Sequence, residues 1–187
     1  MMYDTVFREI RDSIDTKKRI NIPEIIDVTE QVINAYKKGN KTIWFGNGGS
    51  ASDAQHIVAE LVGRYQIDRT PMNALCLNTN VSTLTAISND YEYHNVFKRQ
   101  VRAFCEKGDI VVGISTSGKS FNILTALEVA QLNGCKTVLM TGEIDKKPEF
   151  VDYIISVPSK DTPRIQEAHI LIGHIICKIV EKEIYGM

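Results

Sequence analysis

Apolar positions recur at helical spacing over residues 2–18 and 23–38, which predicts two amphipathic helices with faces at Val6, Ile10 and Ile14 and at Ile26, Val32 and Ile33. The second is entered at Asn21-Ile22-Pro23, where proline suits a first helical turn, and left at Gly39-Asn40. Both precede the first strand, so their apolar faces are expected to pack on the domain or on another subunit. The pattern then changes. Short apolar runs at 43–45, 74–77, 110–114, 137–140 and 153–157 predict five strands. Helical stretches separate them: one from Ser50, one through 84–87, and others over about 95–104, 121–133 and 163–184. Asn89-Asp90-Tyr91-Glu92-Tyr93 is expected to interrupt the stretch through 84–87. The run at 110–114 is apolar apart from Gly113, as in a strand buried on both faces. Strands alternating with helices predict an α/β fold, a five-stranded parallel sheet flanked by helices, with the two N-terminal helices before the first strand. Lys107-Gly108-Asp109 reads as a turn, so residues 1–187 are expected to form one domain with residues 1–40 as a helical extension within it.

Composition narrows the partners. Twenty-two basic and twenty-three acidic residues give a net charge of −1, and the longest basic cluster is Lys17-Lys18-Arg19. That supplies no basic stripe for nucleic acid. A small anionic ligand fits better. Cys76, Cys105, Cys135 and Cys177 are widely spaced, as expected of free thiols in a reducing compartment. The first residues lack the apolar core of a signal peptide, and no run approaches the ~20 apolar residues of a membrane span. A cytoplasmic protein without membrane contact is expected.

Two loops stand where ligands bind in such sheets, beyond the carboxyl ends of strands. In the first, Gly46-Asn47-Gly48-Gly49-Ser50, three glycines in four residues let the backbone turn sharply and approach a ligand just before a helix N-terminus, whose free N–H groups favour an anion. The second, Ser115-Thr116-Ser117-Gly118-Lys119-Ser120, offers four hydroxyls in six residues, donors for a phosphate. Each loop also matches a nucleotide motif. From Gly113, the second reads G-x-x-x-x-G-K-S, but no other predicted strand ends in the metal-holding Asp that a nucleoside-triphosphate site requires. The first matches G-x-G-x-x-A, yet its next strand ends in Leu77-Asn78 instead of the acidic residue that holds a ribose. Further along the first helix, His56 and Glu60 share a face at i and i+4. An imidazole and a carboxylate so placed can chelate a metal or exchange protons.

Together, Gly46-Asn47-Gly48-Gly49-Ser50, Asp53-Ala54-Gln55-His56, Glu60-Leu61, Gly63-Arg64-Tyr65, Asn89-Asp90, Gly113-Ile114-Ser115-Thr116-Ser117-Gly118 and Arg164-Ile165-Gln166-Glu167 closely resemble the phosphoheptose isomerases. These are sedoheptulose 7-phosphate isomerases of the sugar-isomerase (SIS) domain superfamily, and the resemblance spans nearly the whole chain in order. It implies a single SIS domain, a homotetramer with sites at subunit interfaces, and a ketose–aldose isomerisation yielding D-glycero-D-manno-heptose 7-phosphate. It makes Ser50, Ser115, Ser117 and Ser120 the phosphate-loop hydroxyls, with Thr116 in the same loop and Asn47, Gly48, Gly49, Asn89 and Asp90 on the substrate. It makes His56, Glu60, Gln166 and His174 the positions of one zinc ion per subunit, with Gln166 and Glu60 also reaching substrate and Glu60 and His174 the acid–base pair. Two nitrogens with oxygens favour zinc over magnesium. The chain departs from the family in the short charged stretch 142–147, where relatives often carry a glycine-rich loop, and in Thr162-Pro163, where some have an acidic residue. The alternative is a non-catalytic SIS tetramer that binds a protein partner, as replication-initiator-binding relatives do. A pure binding module has no need of this residue set.

Gln166 and His174 lie eight residues apart, about 12 Å along a regular helix and roughly 80° around it. Either Gln166 sits in an irregular first turn or the two serve one ion from different subunits. His169, roughly 140° from His174 around the same helix, is expected to be structural, and His94 is expected not to be a ligand.

Overall fold

A computed structural model describes residues 1–186. Helices α1 (Met2–Lys18) and α2 (Ile22–Lys37) precede β1 (Thr42–Gly46), α3 (Gly49–Val62) and β2 (Ala74–Cys76). Next come α4 (Val81–Tyr91), a 3₁₀ turn (Tyr93–Asn95) and α5 (Val96–Phe104), then β3 (Ile110–Ser115) and α6 (Phe121–Leu132). The strands β4 (Lys136–Thr141) and β5 (Tyr153–Ser156) and the helix α7 (Thr162–Tyr185) complete the order. The five strands form one parallel sheet in the order β2-β1-β3-β4-β5. The chain order first runs from β1 to the edge strand β2 and then back past β1 to β3. That reversal puts the ends of β1 and β3 at the topological switch point, where a crevice opens for ligand.

Alternation along the strands divides the core. Trp44, Val112, Ile114, Val138 and Met140 pack under α2, α3 and α7, while Ile43, Phe45, Val111 and Leu139 pack under α5 and α6. All nine are fully buried, so the strands read as near-continuous apolar runs. Gly173 brings α7 close to α3: a Cβ there would lie 2.6 Å from Ile57 Cδ1. This close approach lets side chains of the two helices meet one turn away.

Two expectations need correction. The face of α2 that enters the core is Ile25, Val28, Val32 and Ile33, whereas Ile26 is 47% exposed, so the predicted stripe is turned by about one position. Of the two coverings expected for the α1 face, the domain itself does not supply one, since Val6, Phe7, Ile10 and Ile14 are exposed within one chain. The interruption expected over 89–93 begins later than its first residues, at Glu92, the one described non-glycine residue with a positive φ, 67°. Tyr91 remains helical with Arg99 3.8 Å above its ring, a cation–π contact that holds the last turn of α4. The four cysteines are free, Cys105 partly exposed and the others buried. No helix among the described residues is long and apolar enough to cross a membrane.

His169 is fully buried and its Nε2 lies 3.2 Å from the Thr141 carbonyl, so Nε2 carries the proton and ties α7 to the end of β4. Its Nδ1 is buried without a partner. Burial therefore pushes its pKa down from 6.5 to about 4, against the partial support of the Thr141 carbonyl. Below pH 6.5 the unfolded chain takes up a proton that the folded one refuses. Stability is thus expected to fall as pH drops through this window, by about 3 kcal/mol at pH 4. Urea denaturation across that range should show a shallower loss in His169→Gln; an unchanged slope would contradict the assignment.

Candidate active site

The first loop leaves β1 through an amide clamp. Gly46 N–H donates to Asn78 Oδ1 (3.1 Å) and Asn78 Nδ2 donates back to the Gly46 carbonyl (2.9 Å). Asn47 and Asn122, at the openings of the two loop-helix junctions, exchange a second pair of amide bonds at 2.9 Å each. Tyr93 OH donates to Asn47 Oδ1 at 2.9 Å. The second loop is held by Ser115 Oγ against Ser120 Oγ (2.9 Å), Lys119 N–H on Ser117 Oγ (3.2 Å) and Gly142 N–H on the Thr116 carbonyl (3.0 Å). Ser50 and Ser115 are buried; Ser117 and Gly48 are exposed. The result is a cradle of hydroxyls at the N-termini of α3 and α6, suited to a phosphate group.

Gln166 joins this cradle. A Cβ at Gly49 would collide with its amide, so Gly49 is the residue that admits it. Asn89 and Asp90 are exposed at the end of α4, with Asn89 Nδ2 donating to Asp90 Oδ1 at 2.8 Å. The turn that follows them reaches the cradle through Tyr93.

A second constellation lies elsewhere. His56 Nε2 is 3.1 Å from Glu60 Oε1 and 3.0 Å from His174 Nε2, and one ligand atom from each of the three lies within 4.8 Å of the others. The Tyr65 ring stacks on His174, centroids 5.7 Å apart at 29°. Two imidazole nitrogens and a carboxylate facing one another cannot all be satisfied by protons alone, because one His56 nitrogen would have to donate to Glu60 and accept from His174. A divalent cation would satisfy all three lone pairs, so the donor set fits zinc. One turn earlier on α3, Asp53 has a buried Oδ2 without a partner among the described residues, and burial, partly offset by His56, pushes it up to about 6. His94 pairs with Glu92 at 3.0 Å and sets its ring edge-on to Phe121, the first residue of α6, at 5.6 Å between centroids.

Cradle and cluster are separate places on one chain. Ser50 and Glu60 are ten residues apart on α3, about 15 Å, and Gln166 and His174 lie on α7, which is helical from Thr162. An irregular first turn in α7 is thereby removed as an explanation. Asn78, Tyr93 and Asn122 were given no role from the sequence, and Tyr65 entered only within the Gly63-Arg64-Tyr65 resemblance. Asn122, two residues after Ser120 at a helix start, was the most discoverable.

The SIS domain family model matches residues 5–142. A phosphoheptose isomerase of Clostridium acetobutylicum is 47% identical across 99% of this chain and 97% of its own length. A phosphoheptose isomerase 2 of Campylobacter jejuni is 52% identical across 94% and 90%. Among solved structures, the phosphoheptose isomerase of Neisseria gonorrhoeae superposes with a TM-score of 0.89 at 34% identity, covering 97% of this chain and all of that one.

Proposed function

Because the chain belongs to the phosphoheptose isomerases of the SIS domain family, we propose that it converts sedoheptulose 7-phosphate to D-glycero-D-manno-heptose 7-phosphate. The observation that carries this reading is the convergence of His56, Glu60 and His174, which gives a SIS fold a proton-transfer centre in addition to its phosphate cradle. A partner-binding tetramer has no use for such a cluster.

In the proposed reaction, the hydroxyls of Ser50, Ser115, Ser117 and Ser120 and the Asn47 to Gly49 backbone hold the phosphate. Thr116 shapes the same loop, and Asn89 and Asp90 reach the sugar from the end of α4. The Glu60 carboxylate takes a proton from C1 and returns it at C2, and the His174 imidazole moves a proton between O1 and O2, so that the ketose becomes an aldose through an enediol. His56, Glu60 and His174, completed by Gln166, would hold a zinc ion, which when bound polarises the carbonyl and eases removal of the carbon proton.

The separation of cradle from cluster supports sites shared between subunits, with the cradle and Gln166 of one chain facing the cluster of the next. The uncovered apolar stripe of α1, with exposed Ile22 and Ile26, supports a homotetramer, since a patch of this kind marks an interaction surface. Complementation tests the sharing. Ser117→Asp, which puts a negative charge in the cradle, and His174→Ala are each expected to abolish turnover. Tetramers reassembled from both variants should regain part of it, because some interfaces then pair an intact cradle with an intact cluster. No regain in verified mixed tetramers would contradict shared sites.

A further inference from the structure

Arg69 and Glu181 form a buried ion pair, with Arg69 Nε 3.0 Å from Glu181 Oε1 and side chains 2% and 1% exposed. Neither was singled out by the sequence. The carboxylate also accepts the three consecutive backbone N–H groups of Tyr65, Gln66 and Ile67, at 3.2, 2.9 and 3.3 Å. The chain leaving α3 is therefore wrapped around an anion that α7 supplies. Arg69 turns its remaining donors to the end of α3, reaching the carbonyls of Glu60 (2.8 Å) and Leu61 (2.7 Å). Those carbonyls have no partner within the helix; the Leu61 carbonyl also accepts the Met72 N–H at 3.1 Å, while Arg69 holds that of Glu60.

Each end of the pair leads to a member of the cluster. Through the Glu60 carbonyl, Arg69 fixes the backbone that bears the catalytic carboxylate. Through the Tyr65 N–H, Glu181 fixes the ring that stacks on His174, and Glu181 stands seven residues after His174 on the same face of α7. We propose that Arg69, Glu181 and Tyr65 are positioning residues that hold Glu60 and His174, borne on different helices, in register for the cluster with His56. This inference rests on the proposed role of that cluster. None of the three residues touches substrate in it; they act through Glu60 and His174.

The test uses the full-length protein, wild type beside Tyr65→Phe, Tyr65→Ala, Glu181→Gln and His174→Ala, with folding checked by circular dichroism. The first readout is the His174 Cε1–H resonance of metal-free protein. Its ring-current shift should survive in Tyr65→Phe, vanish in Tyr65→Ala and shrink in Glu181→Gln, which can release Tyr65 without removing it. The second is zinc affinity by chelator competition. Tyr65→Ala is expected to weaken it by roughly 10- to 100-fold, as loss of an outer-shell support does, with Tyr65→Phe unchanged. Turnover should fall through kcat, with KM little altered, because the cradle is elsewhere. A His174 resonance unmoved in both Tyr65→Ala and Glu181→Gln would overturn the proposal. Failure of the wild type to bind zinc more tightly than His174→Ala would instead overturn the metal reading, and the resonance would still decide the positioning role.

Discussion

Glu60→Gln is expected to lower kcat by roughly 10²- to 10⁴-fold, the usual contribution of a positioned general base, while leaving KM for the sugar phosphate near its wild-type value. The amide keeps the size of the carboxylate and can still accept a hydrogen bond, but it cannot take a proton from carbon. The fold should be unaffected, since Glu60 lies on the surface of α3 with its side chain 24% exposed and its main chain held by Arg69. The change also weakens one side of the three-residue cluster, so kcat should be measured at saturating zinc. A rate within a few-fold of wild type under those conditions would remove Glu60 as the base.

The largest effect on stability is expected from Glu181→Ala. It leaves Arg69 buried without its counter-charge and strips three successive N–H groups of their acceptor. Breaking a buried pair from one side costs about 3–5 kcal/mol, which for a chain of this size is a drop of roughly 6–20 °C in melting temperature. The pH dependence follows the same contacts. Burial alone would raise the Glu181 carboxyl, but the backbone N–H groups and Arg69 outweigh it and hold the group below its usual value. Its contribution is therefore present at neutral pH and lost as pH falls below the ordinary carboxylate range. Calorimetry at neutral pH decides: a melting temperature equal to wild type would contradict the account of this pair.

What was legible in the sequence is what local spacing encodes. Apolar β-branched runs mark strands, a glycine run before a helix start marks an anion cradle, and a histidine four residues before a glutamate marks a shared helix face. All five strands and both loops follow from such signals. The encounter of His174 with His56 is not local, since the two are 118 positions apart. It depends on Gly173 admitting α7 against Ile57, and only the family resemblance pointed to it beforehand. The Arg69–Glu181 pair spans 112 positions and was invisible for the same reason. Helix faces were read to within a residue: Ile26 and Ile25 are adjacent in sequence, yet only Ile25 enters the core. The end of α4 was read a few residues early because Asn89 and Asp90 look like turn residues. The stacking of Arg99 on Tyr91 comes from the next helix and outweighs their local preference.

The most direct test of the central claim is sedoheptulose 7-phosphate incubated with the purified protein in deuterated water, with and without zinc, and followed by NMR. The expected result is zinc-dependent formation of the aldose phosphate with deuterium carried into the sugar at the carbons that exchange carbonyl and hydroxyl, both lost in Glu60→Gln. Folded protein that gives neither product nor deuterium exchange at any zinc concentration would contradict it.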